Sequence, residues 1–233
     1  MRYLGLLGGM SWESTLHYYQ QINEGVRERL GGLHSAPLLL HSVDFAPVAA
    51  RQRAGDWDAL GAQLAAAAQG LQRAGAAGLL LCTNTMHKLA PAIEAAVDLP
   101  LLHIADPTIA ALQAAGVQRV GLLGTRFTMD EAFYRDRLAA AGLQVLLPDK
   151  AGRAEVHRVI FDELCQGKVL AASRTAYQQV IAAMQAAGAE AVILGCTEIG
   201  MLLGADDSPL PLFDTTALHA AAAVDWLLAG APA

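Results

Sequence analysis

Apolar runs of strand length alternate with stretches of helical period through the first hundred residues. Leu4–Leu7, Leu38–Val43, Leu79–Cys82 and Leu101–Ile104 read as strands, because short unbroken apolar runs bounded by turn residues mark strands buried on both faces. Between them, Trp12–Leu30, Trp57–Ala74 and Met86–Val97 return their apolar positions at helical spacing, as amphipathic helices do. Such alternation predicts parallel strands joined by crossover helices. The plan then restarts. Arg119-Val120-Gly121-Leu122-Leu123-Gly124-Thr125 echoes Arg2-Tyr3-Leu4-Gly5-Leu6-Leu7-Gly8-Gly9, and a helix is predicted from about Thr128 to Ala141.

A second echo lies further along each half. Gly78-Leu79-Leu80-Leu81-Cys82-Thr83-Asn84-Thr85 and Ala191-Val192-Ile193-Leu194-Gly195-Cys196-Thr197-Glu198 are both buried-strand runs that end in a thiol, a hydroxyl and a polar residue. The end of a strand is where an open α/β sheet places its chemistry. The two echoes recur at nearly constant offset, which implies an internal duplication. The fold expected is α/β, with two pseudo-symmetric Rossmann-like lobes of mostly parallel sheet and a cleft between them. Punctuation by Pro100 and Pro107 sets the first crossover, and the region 208–211 sets the return. The expected lobes are residues 1–101 plus 211–233, and 102–210. The closing strand at Leu210–Phe213 and helix at Thr215–Leu228 are assigned to the first lobe.

Composition narrows the partners. Of 233 residues, 54% are hydrophobic and 16% charged, which excludes disorder. A net charge of -6 without a lysine or arginine cluster argues against nucleic acid or an anionic membrane, since phosphate neutralisation needs a concentrated basic face. No apolar run approaches the roughly 20 residues that cross a bilayer, and the glycine-rich start reads as a strand rather than a secretory leader. Cys82, Cys165 and Cys196 form an odd set without a disulfide framework, as expected for free thiols in a reducing cytoplasm. A small-molecule partner is expected.

The candidate chemistry sits at strand ends. Gly5-Leu6-Leu7-Gly8-Gly9-Met10-Ser11 joins a strand to a helix, where backbone N–H groups can hold a phosphate or carboxylate; its spacing is neither the dinucleotide fingerprint nor a P-loop. Cys82 and Cys196 each precede a predicted helix, whose dipole is expected to lower a thiol pKa. His87 is expected at the cleft rim. Three scattered cysteines offer no zinc cluster, and Lys88, Lys150 and Lys168 lack a phosphate-binding setting for pyridoxal phosphate, so neither metal nor cofactor is expected.

These motifs together resemble the aspartate/glutamate racemase family over essentially the whole chain. Gly8-Gly9-Met10-Ser11-Trp12-Glu13-Ser14-Thr15, His41-Ser42-Val43-Asp44-Phe45 and Cys82-Thr83-Asn84-Thr85-Met86-His87 are similar to the bacterial subgroup of L-aspartate/glutamate-specific or broad-specificity racemases. The resemblance implies a cofactor-independent, two-base reaction at Cα and, from relatives, a homodimer. Two departures stand out. The family's usual Cys-Asn-Thr is Thr83-Asn84-Thr85 here, with Cys82 one place earlier; since successive strand residues point to opposite faces, that shift turns Cys82 from the cleft and makes Thr83 and Cys196 the expected acid/base pair, with Cys82 as the alternative to Thr83. Cys165 also stands where many relatives carry a lysine for the substrate's side-chain carboxylate. The implied substrate contacts are Met10, Ser11, Gln52, Asn84, Thr85, Thr197, Glu198 and Lys168. Rival readings are a related isomerase, decarboxylase or hydantoin racemase, and an amino-acid-binding protein that has lost catalysis.

Overall fold

In the computed structural model, which describes residues 1–229, the chain divides into two units: Met1–His103 with the residues from His219 on, and Ile104–Leu218. The expected boundary residues 230–233 lie outside the described residues. The first unit is built from β1 (Leu4–Gly8), α1 (Trp12–Leu30), β2 (Leu38–Ser42), α2 (Phe45–Ala54), α3 (Trp57–Arg73), β3 (Gly78–Leu81), α4 (Ala90–Glu94) and β4 (Leu101–Leu102). The second contains α5 (Ala105–Ala114), β5 (Arg119–Gly124), α6 (Arg126–Asp130), α7 (Ala132–Ala140), β6 (Gln144–Leu146), α8 (Lys150–Asp162), α9 (Ala171–Ala186), β7 (Ala191–Gly195), α10 (Ile199–Leu202) and β8 (Leu212–Asp214). A last helix, α11 (Thr215–Leu228), starts in the second unit and carries the chain back into the first.

Each unit holds a four-stranded sheet, ordered β2-β1-β3-β4 in the first and β6-β5-β7-β8 in the second, with every pairing parallel. In both orders the winding reverses at the central pair, and ligands of open parallel sheets bind outside the strand ends at that reversal. The central pairs are β1/β3 and β5/β7, the four strands whose ends the sequence echoes mark.

The all-apolar strands follow from burial on both faces. Leu79 and Leu81 of β3 pack with Leu60, Leu64 and Leu71 of α3 and Ile93 of α4, while Leu80, between them, packs with Tyr18, Ile22 and Val26 of α1 and Val224 of α11. In the second unit Val192 and Leu194 of β7 join Val156, Ile160 and Ile181 of α8 and α9, and Ile193 joins Leu112 and Leu138 of α5 and α7. Burying a leucine or isoleucine side chain of this kind contributes about 1.5–3 kcal/mol.

Three expectations change. The helix read at Met86–Val97 is a 3₁₀ turn over Thr85–Leu89 followed by the short α4, with Pro91 in its first turn, where the missing proline N–H costs no helical bond. The helix read at Thr128–Ala141 is divided at Glu131, whose backbone is extended (φ -86°, ψ 154°), into α6 and α7. The closing strand does not return to the first lobe: Leu212, Phe213 and Asp214 pair with Val192, Ile193 and Leu194 of β7. The return therefore falls inside α11, after Leu218.

Candidate active site

The site residues of the first unit lie where β1 and β3 end side by side. Leu7 is in register with Leu81, and the Cys82 amide continues the ladder to the Leu7 carbonyl at 2.9 Å. After β1 the chain turns at Gly9, whose φ of 87° is open to glycine and disfavoured for other residues. A Cβ there would also be driven into the backbone of Val43. The Met10–Ser11 peptide is cis, and Ser11 caps α1, its hydroxyl accepting from the Ser14 amide at 3.3 Å. Thr15 ties the loop back: its hydroxyl accepts from the Gly9 amide and donates to the Ser11 carbonyl, both at 2.8 Å.

At the end of β3, Cys82 and Thr83 part company. Cys82 is fully buried in the cluster of Leu80, Tyr18 and α11, so the alternation that places Leu80 on that face extends one residue past the strand. Burial pushes its thiol far above the ordinary value, because a thiolate there would lose its hydration. Thr83 keeps 7% of its surface. Asn84 precedes the 3₁₀ turn that Thr85 begins, and the imidazole of His87, expected at a rim, is buried with Nδ1 2.7 Å from the Thr83 carbonyl.

The second unit repeats the arrangement with different side chains. Leu123 is in register with Leu194, and Gly124 with Gly195. Matching Leu7–Leu81 to Leu123–Leu194 makes Gly195 the counterpart of Cys82, and Cys196 the counterpart of Thr83. Sidedness agrees: Cys196 clusters with Val192 and Leu194, the face that Leu81 takes in its own sheet. Gly195 is also held to glycine by space, since a Cβ would sit 2.8 Å from both the Leu122 side chain and the Leu123 carbonyl.

Cys196 is 8% exposed and its Sγ donates to Glu198 Oε2 at 2.9 Å; the Thr197 hydroxyl donates to the same oxygen at 2.8 Å. The expected lowering of the thiol pKa is not found. Burial first, and then the Glu198 carboxylate and Cys165, hold Cys196 well above the ordinary thiol value. The helix that follows has only four residues, too short for its dipole to outweigh desolvation and an adjacent negative charge.

The other expected contacts divide. Gln52 is buried on α2 with Nε2 3.0 Å from Met86 Sδ, in the turn that follows β3. Lys168 is exposed and donates to Gln166 at 2.8 Å. Cys165 is half-buried against the cluster that holds Cys196. Sequence reasoning missed His103 and His219, whose ring centroids lie 4.5 and 5.8 Å from that of His87, and Tyr18, which bonds His219. Their only sequence signal is residue type, because they come from the residue after β4, from α11 and from α1, far apart in the chain. Among the described residues no group of three or more His, Cys, Asp or Glu side chains is placed to hold a metal ion, and no helix is long and apolar enough to cross a membrane.

The chain is similar in sequence and fold to known proteins. The family model for Asp/Glu/hydantoin racemases matches residues 7–223. A proposed Asp/Glu racemase from Yersinia pestis is 51% identical, with a TM-score of 0.90 over 98% of this chain and 100% of that one. An aspartate racemase homologue from Pyrococcus horikoshii OT3 is 30% identical, with a TM-score of 0.84 over 97% and 99%. The broad specificity amino-acid racemase RacX of Bacillus subtilis (strain 168) is 25% identical over 97% of this chain and 98% of that one. The chain belongs to the Asp/Glu/hydantoin racemase family. By that membership it is an enzyme of the racemase class.

Proposed function

We propose that the protein is a cofactor-independent amino-acid racemase for aspartate, glutamate or a similar small amino acid, with Cys196 and Thr83 acting on opposite faces of Cα. The observation that carries this reading is the strand register, which makes Thr83 and Cys196 equivalent positions of two like units. A racemase meets mirror-image substrates, so equivalent positions suit its two proton carriers. Cys196 removes the proton of one enantiomer, and the Thr83 hydroxyl delivers a proton to the opposite face and is replenished from solvent.

A thiol held protonated by burial and by Glu198 needs a compensating charge before it can act as a base. The ammonium group of a bound amino acid supplies one, because a cation near a thiolate favours the ionised form. Glu198, 2.9 Å from Sγ, is the group placed to take up the thiol proton. Backbone amides and hydroxyls of Met10, Ser11, Asn84, Thr85 and Thr197 hold the α-carboxylate and stabilise the charge that builds on it as Cα loses its proton. Gln52 serves the substrate side chain. The same reading includes a homodimer in a reducing cytoplasm, its mass readable by light scattering.

The test is α-hydrogen exchange in heavy water without added cofactor, followed by chiral chromatography across a panel of amino acids and hydantoins. Racemisation accompanied by deuterium uptake, abolished in Cys196→Ala, is the expected result. Uptake that persists in Cys196→Ala overturns the assignment, and turnover of hydantoins alone overturns the substrate class.

A further inference from the structure

Behind the end of β3 lies a group of buried polar rings that the proposed proton transfer leaves unused. Thr85–Leu89 is a 3₁₀ turn, so the His87 amide reaches the Asn84 carbonyl at 3.1 Å and not the Thr83 carbonyl, its partner in an α-helix. The His87 ring takes the place of that missing amide, with Nδ1 2.7 Å from the Thr83 oxygen. A carbonyl oxygen only accepts, so Nδ1 carries the proton. His219 has the opposite tautomer. Its Nε2 donates to the Leu102 carbonyl at 2.9 Å, and its Nδ1 accepts from the Tyr18 hydroxyl at 2.9 Å. Burial, followed by the nearby His87, lowers its pKa to about 3, so this tautomer is neutral at physiological pH. His103 packs against His87, 4.5 Å away between ring centroids.

We infer that His87 is a positioning residue for Thr83: its Nδ1–H fixes the backbone at residue 83, and His103 with the Tyr18-anchored His219 fixes the plane of that imidazole. This rests on the racemase reading above. An alcohol is a poor proton carrier, so the Thr83 step depends on reach, and displacement of a reacting group by about 1 Å costs on the order of 10²-fold in rate. A side-chain bond to the residue's own carbonyl limits such displacement at its source. Every member of the cluster belongs to the first unit, so its loss falls on the Thr83 step and leaves the Cys196 step intact.

The experiment separates those two steps. For the enantiomer whose proton faces Cys196, removal and return by the same sulfur exchanges the α-hydrogen with retention of configuration, whereas racemisation also needs Thr83. In His87→Leu, racemisation is expected to fall about 10-fold or more with KM little changed, while exchange with retention stays within about twofold. His87→Asn, whose amide places a donor near the former Nδ1, is expected to restore most of the racemisation. Equal loss of both activities, or racemisation unaffected in His87→Leu, overturns the inference. Should His87→Leu fail to fold, nitrogen-15 spectra of the wild-type imidazoles decide: His87 protonated on Nδ1 and His219 on Nε2 is the expected pattern, and His87 protonated on Nε2 alone overturns it. Failure of the racemase reading looks different, because the wild type itself would then show no amino-acid racemisation, and failure of the Cys196 assignment would leave exchange in Cys196→Ala whatever His87 does.

Discussion

The ends of β3 and β7 are the same local structure carrying different chemistry. Each follows a strand in parallel register with a Gly-Leu-Leu-Gly strand, and each is followed by a short helical turn rather than a long helix. At the position lying beyond the second glycine of that partner strand, the first unit has Thr83 backed by histidines, and the second has Cys196 beside a carboxylate. One place earlier the first unit buries a thiol and the second allows no side chain at all. The lesson is that a strand end fixes where a proton carrier stands, while the neighbours of that position decide what the carrier can be.

The largest test of this comparison removes one carrier. Thr83→Ala is expected to lower racemisation by about 10²-fold or more, the usual range for a lost acid/base group, while exchange with retention of the Cys196-facing enantiomer persists. Thr83→Ser, which keeps the hydroxyl, should recover much of the rate. Loss of both activities in Thr83→Ala would mean that the two strand ends do not act as separable carriers.

Much of this was legible in the sequence, and the gaps have physical causes. The helix at Trp12–Leu30 and the strands β1, β2 and β3 carry strong periodicity or unbroken apolar runs, so their limits are readable to within a residue. The equivalence of Thr83 and Cys196 was half legible: matching thiol to thiol aligns Cys82 with Cys196, comparison with Cys-Asn-Thr points to Thr83 instead, and the ladder partners of Leu7 and Leu123 put Thr83 and Cys196 at equivalent positions. The return of the chain was misplaced, because Leu212–Asp214 has the same apolar character whether it closes one sheet or the other. The state of Cys196 was misjudged from the helix that follows it, since a dipole can be guessed from sequence but burial and the reach of Glu198 cannot. The histidine cluster was invisible for a simpler reason. His219 joins His87 and His103 only because α11 carries the chain back from the second unit and packs against α1 and β4.

A second test exploits the titratable rings that back only the first strand end. His219 titrates near 6.5 when unfolded and at about 3 when folded. Between those values the unfolded chain binds the proton and the folded one does not, so stability is complete above pH 6.5 and declines as the pH falls toward 3. The decline is at most about 1.4 kcal/mol per pH unit for one such group. Denaturant midpoints of the wild type are expected to drop more steeply from pH 6.5 to 5 than those of His219→Gln, whose amide keeps a donor for the Leu102 carbonyl but cannot be protonated. Parallel slopes would show that the ring is already charged or exposed in the native state.

The smallest effect is expected at the thiol that the strand alternation turns inward. Cys82→Ala removes one buried sulfur from the cluster of Leu80, Tyr18 and Val224 and is expected to cost about 1 kcal/mol of stability, the low end of large-to-small core changes, with racemisation within about twofold of wild type. The wild-type thiol should resist iodoacetamide in the native protein, because burial suppresses its thiolate, and should react on unfolding; half-buried Cys165 should label first. The contrast with Cys196→Ala is the sharpest form of the comparison, since the two residues are alike in composition and in strand-end location and differ by a single step of the pleat. If Cys82→Ala lost racemisation while keeping its fold, the proton carrier of the first unit would be the sulfur, and the register match between Thr83 and Cys196 would be a coincidence of packing.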